Sequence, residues 1–98
     1  MFRHVVMFRL SESADEAVRT QILSGLAELP ALVSGIERFV FGVDAKLVTG
    51  NHDVVVVADF LAKDAYVRYA THPAHVEFVN KCIRPYLTDR AAVQCEIA

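Results

Sequence analysis

Asp53-Val54-Val55-Val56-Val57-Ala58-Asp59-Phe60 is the stretch on which the fold turns. Its β-branched run reads as a strand. Successive side chains of a strand point to opposite faces, so the four valines make both faces apolar. A strand with one wet face alternates; this one asks for cover on both sides. Two helical segments can cover one face of a small sheet. The other face then needs a second chain, most simply another copy packed sheet to sheet.

The flanking chain supplies the rest of that sheet. Phe2 to Leu10 places Phe2, His4, Val6, Phe8 and Leu10 on one face and Arg3, Val5, Met7 and Arg9 on the other. His4 is the only polar group on its face and needs a hydrogen-bond partner, expected from the layer above. Ser13-Ala-Asp-Glu16 reads as a capping box opening a helix to about Leu29, with Val18, Ile22, Leu26 and Leu29 on one stripe and Pro30 as its stop. Ser34-Gly35 turns the chain into a second strand, Ile36 to Val43. Asp44 to Asn51 reads as a hairpin loop, followed by a solvated His52. Beyond Phe60 come a helical segment over 62–70, another from Pro73 to about Tyr86, and a last strand from Val93 to Ile97. The order βαββαβ predicts an α+β, ferredoxin-like fold with an antiparallel four-stranded sheet, one domain over residues 1–98.

Composition points the same way. The hydrophobic fraction of 54% exceeds the roughly 45–50% of soluble domains, and the surplus favours a homodimer through the sheet face. A net charge of −2 with no Lys/Arg cluster argues against nucleic acid or an anionic membrane as partner. No apolar run approaches the roughly 20 residues of a membrane span, and the apolar residues after Arg3-His4 are too few for a signal peptide. Cys82 and Cys95 fit no metal spacing and read as reduced thiols, so the chain reads as cytoplasmic.

The chemistry concentrates in Tyr69-Ala-Thr-His72-Pro73-Ala-His75. Pro73 cannot sit inside a helix but suits the first position of one, and it pushes His72 out of the α region. His75 then falls in the first turn, where the positive end of the helix dipole favours a neutral imidazole able to accept a proton. The same residues also fit ordinary capping and core packing. If the His4 face of the first strand meets the helices, His4, Tyr69 and His75 line one pocket with walls from Ile22, Val54, Val56 and Phe78, and His72 adds a further polar group at the joint. Zinc is disfavoured, because Pro73 breaks the regular spacing between His72 and His75 and no Cys or Glu completes a ligand set with His4.

Arg3-His4-Val5-Val6-Met7-Phe8, the Leu29-Pro30 and Gly35-Ile36 joints and Tyr69-x-x-His72-Pro73-x-His75 together resemble the stress-responsive A/B barrel family, or Dabb, over essentially the whole chain. The resemblance implies a ferredoxin-like monomer whose sheet pairs with a second copy's into a dimeric α/β barrel. The best-defined enzymatic relatives are plant polyketide cyclases of the olivetolic acid type, which close a tetraketide by an aldol step without metal or organic cofactor. By that resemblance Tyr69 and His75 are the catalytic pair, and His4 and His72 match further polar positions. Val54 stands where those cyclases have a pocket-facing histidine. Two functions follow as expectations: a small dimeric ligand-binding module of unassigned activity, or a cofactor-free cyclase-like or proton-transfer enzyme acting on a carbonyl-bearing aromatic or polyketide-like substrate. A monooxygenase-like activity is an analogy from fold alone.

Overall fold

The computed structural model describes all 98 residues, Met1–Ala98. In chain order it runs β1 (Phe2–Leu10), α1 (Glu16–Leu32), β2 (Arg38–Val43), β3 (Val54–Phe60), α2 (Lys63–Thr71), α3 (Pro73–Phe78), a π-helical turn (Val79–Ile83), a 3₁₀ turn (Arg84–Tyr86) and β4 (Leu87–Glu96). The sheet is antiparallel in the order β2-β3-β1-β4. This is the ferredoxin-like arrangement, with all helices on one face. No helix is long and apolar enough to cross a membrane.

Several boundaries differ from the sequence reading, each for a local reason. The cap of α1 is Asp15, whose Oδ1 accepts from the Val18 N–H at 2.9 Å, while the Ser13 hydroxyl bonds Ser11 at 2.6 Å; there is no capping box at Ser13. Pro30 does not stop α1. It sits inside the last turn, where one missing N–H bond is offset by burying Leu29 and Val33 against the sheet. Gly35 then reverses the chain at φ +94°, a conformation that favours glycine. β4 begins at Leu87, not Val93, because it pairs with β1 along nearly its whole length although its side chains lack a clean alternation. His52 is not solvated: its Nε2 meets Asp89 Oδ2 at 2.9 Å and ties the hairpin loop to β4.

The register sorts the two faces of the sheet. Toward the helices lie Phe2, His4, Val6, Phe8 and Leu10 of β1 and Val54, Val56, Ala58 and Phe60 of β3, all buried. They pack with Ile22, Leu26 and Leu29 of α1 and with Ala65 and Tyr69 of α2. On the outer face one row crosses all four strands as Val40, Val57, Val5 and Val93, and the next as Gly42, Val55, Met7 and Ala91. A third row holds Arg3 against Asp59 in a two-pronged pair at 2.7 and 2.8 Å. Val93 therefore points outward and Gln94 toward the helices, the reverse of a strand that buries its valine.

Candidate functional site

A cavity of about 440 Å³ opens between the sheet and the joint of α2 with α3. Its floor is His4, Val6 and Phe8 of β1 with Val56 of β3; its roof is Leu26 and Leu29 of α1, Tyr66 and Tyr69 of α2, and His75 and Phe78 of α3. Phe78 approaches α1 at Gly25, where a Cβ would run into its ring. Ala58 stands beside His4 in the register, and its small side chain leaves the imidazole room at the cavity floor.

His72 shapes the joint from outside. Its backbone is extended at φ −63° and ψ 134°, as a residue before proline must be, and it both ends α2 and caps α3. Its Nδ1 accepts from the Ala74 N–H at 3.0 Å. That makes it a cap, not a wall of the cavity. Ile22 and Val54 are likewise absent from the wall: both are buried in the packed core, and the β3 side chain that reaches the cavity is Val56. The cavity begins one turn further along α1, at Leu26 and Leu29. His4, Tyr69, His75, Val56 and Phe78 do come together.

The two cavity histidines are wired in opposite senses. His75 Nδ1 lies 3.1 Å from the Ala70 carbonyl oxygen, which can only accept, so Nδ1 carries the proton and Nε2 keeps a free lone pair. For His4, Gln94 Nε2 donates to Nδ1 at 2.8 Å, so the proton sits on its Nε2. The partner His4 requires thus comes from the neighbouring strand, not from the helices above. Neither Nε2 has a partner in the chain.

Burial keeps both rings neutral. It pushes His4 down to about 4, helped by the Arg90 charge and by His75. His75 is also lowered, chiefly by burial and further by Arg90 and His72, against an opposing pull from its bond to Ala70. Burial, rather than the helix dipole invoked from the sequence, leads the lowering of His75. Tyr69 is buried, and burial raises its phenol well above the ordinary value, with Tyr66 adding to the shift. Its hydroxyl makes no hydrogen bond within the chain, yet no fully enclosed side-chain polar atom lacks a partner, so the hydroxyl opens into the cavity. The Tyr69 and His75 rings lie 4.3 Å apart, and those of His4 and Tyr69 6.4 Å apart. The site therefore offers one acceptor, His75 Nε2, and two donors, Tyr69 Oη–H and His4 Nε2–H, inside apolar walls.

Tyr66, Gln94, Arg84 and Arg90 escaped the sequence reading. Tyr66 stacks near His4 at 4.9 Å. Gln94 and Arg90 were legible only once β4 was registered against β1, where they face His4 and Phe8.

The profile described as Stress responsive A/B Barrel Domain, Dabb, matches residues 2–97. The stress-response A/B barrel domain-containing protein At5g22580 of Arabidopsis thaliana is 32% identical over 84 residues, covering 79% of this chain and 69% of that protein. A dimeric ferredoxin-like protein of unknown function from Thermobifida fusca superposes with a TM-score of 0.90 at 34% identity, over 98% of this chain and 90% of that one. The hydroxynitrile lyase of Passiflora edulis shares the fold at a TM-score of 0.86 and 15% identity, over 99% and 93% of the two chains.

Proposed function

The chain belongs to the stress-responsive A/B barrel family, and on that premise we propose that it is a homodimeric, cofactor-free enzyme that moves a proton on an apolar, carbonyl-bearing ligand. The observation that carries this reading is the opposed wiring of the two histidines, which gives the cavity a base and an acid at once. His75 Nε2 takes a proton from the carbon beside the carbonyl. The electron pair moves onto the carbonyl oxygen, which accepts hydrogen bonds from Tyr69 Oη–H and His4 Nε2–H. Return of the proton to a different carbon of the enolate system completes an isomerisation; attack of the enolate carbon on a second carbonyl of the same ligand, with the His75 proton passing to the alkoxide so formed, completes an aldol closure. The apolar walls exclude bulk water and strengthen both hydrogen bonds.

Dimerisation is supported by the outer face of the sheet. Two adjacent rows of Val, Met, Ala and Gly side chains lie open across four strands, with Met7, Val40, Val55 and Val93 all exposed. An apolar patch of this continuity marks an interface. The Thermobifida fusca relative is described as dimeric.

The test is deuterium exchange at the α-carbon of aromatic β-diketones, followed by NMR in heavy water with and without the protein. We expect exchange above the buffer rate for compounds that shift the His75 ring signals, and a loss of about 10²–10⁴-fold in His75→Gln. Compounds that bind the cavity without any exchange above buffer would make the protein a binding module instead.

A further inference from the structure

Arg90 and Arg84 are the charges left over at the cavity. Arg90 is on β4 opposite Phe8, so the two side chains share the helix-facing side of the sheet. Arg84 follows Ile83, a core anchor that is 1% exposed. Both arginines line the cavity while staying exposed to solvent, so they stand at its rim, and no Asp or Glu joins them in the lining. Nearby carboxylates are committed elsewhere: Asp89 points to the opposite face of β4 and meets His52, and Glu77 pairs with Lys81. No hydrogen bond or ion pair engages either guanidinium. The Arg90 charge lowers the pKa of both cavity histidines, after the larger effect of burial. A chain of net charge −2 thus carries a local positive field at the rim of an apolar cavity.

Resting on the reading of this cavity as the ligand site, we propose that its ligand carries a carboxylate, held by Arg84 and Arg90 while the apolar body lies against Val56 and Phe78. A guanidinium presents paired N–H donors in the geometry a carboxylate matches. A neutral apolar ligand would gain nothing from these two exposed guanidiniums. An anionic one satisfies them and fixes which end of the molecule meets His75.

The probes are 2-naphthoate and its neutral counterpart 2-naphthamide, titrated calorimetrically into the full chain near neutral pH. We expect the carboxylate to bind roughly tenfold or more tightly than the amide, as a charge-assisted hydrogen bond provides. The preference should weaken with added salt, disappear in the Arg84→Gln/Arg90→Gln double variant, and be reduced but retained in Arg84→Lys/Arg90→Lys, which keeps the charge without the paired donors. Equal affinity of the two probes for the natural chain would overturn the carboxylate assignment alone, making the arginines charges that only guard an edge strand. Failure of both probes to bind would overturn the cavity as a ligand site, and the assignment with it.

Discussion

On the helix side of the sheet, β1 and β3 bury every inward-facing apolar side chain, and what remains unpaired is polar: the Tyr69 hydroxyl, the Nε2 atoms of His4 and His75, and the Arg84 and Arg90 guanidiniums at the cavity rim. On the outer side the buried charge is matched, with Arg3 and Asp59 joined in a two-pronged pair, and the middle of the face is apolar: the rows through Val57 and Val55. The same two strands produce both faces, since alternate residues of one chain segment feed each. A face with leftover polar atoms in a cavity is suited to a small ligand, because only a ligand or water can meet them. A face with leftover apolar area and satisfied edges is suited to another protein surface.

The contrast can be broken most sharply on the outer face. Val57→Arg puts a charge in the middle of the valine row, and in a two-fold dimer it appears twice, opposed or nearly so. Like charges there cost several kcal/mol, so the dimer dissociation constant should rise roughly a thousandfold or more. Analytical ultracentrifugation reads this directly, and a variant that sediments as a dimer would take the interface away from this face.

A middle-sized effect comes from acid. His4 titrates at about 4 in the folded chain against 6.5 for an ordinary histidine. Between these values the unfolded chain binds the extra proton, so stability is fully present above pH 6.5 and falls as pH drops toward 4. Allowing for screening by water in the cavity, the loss is on the order of 2–3 kcal/mol. His75, also depressed, adds in the same direction. Urea unfolding across this window should show the drop, and His4→Gln should reduce it without abolishing it. A flat profile would mean that the helix side is as wet as the outer side.

The smallest effect is the most diagnostic of a leftover polar atom. Tyr69→Phe removes a hydroxyl that has no partner in the chain, so thermal stability should move within about 0.5 kcal/mol while proton exchange on a bound diketone slows. A destabilisation of about 1–3 kcal/mol would instead be the mark of a lost buried hydrogen bond, and would return Tyr69 to a purely structural part.

Some of this was legible without coordinates. The parity of β1 put His4 on the helix side, the valine run demanded cover on both faces, and Pro73 placed the joint between α2 and α3 with His75 beyond it. Each follows from rules that act within a few residues: the two-residue period of a strand, the missing N–H of proline, the restriction it imposes on His72. What escaped was set between segments far apart in the chain. β4 is a strand because β1 offers it backbone partners, and its own side chains gave almost no signal before Val93. Gln94 reaches His4 across ninety positions, and that hydrogen bond decides which nitrogen of His4 carries the proton. The Ala70 carbonyl does the same for His75, and the sequence named the ring but could not name its tautomer. Local covalent geometry determined where the histidines are. Only the packing of distant strands against the helical joint decided which nitrogen of each ring carries the proton.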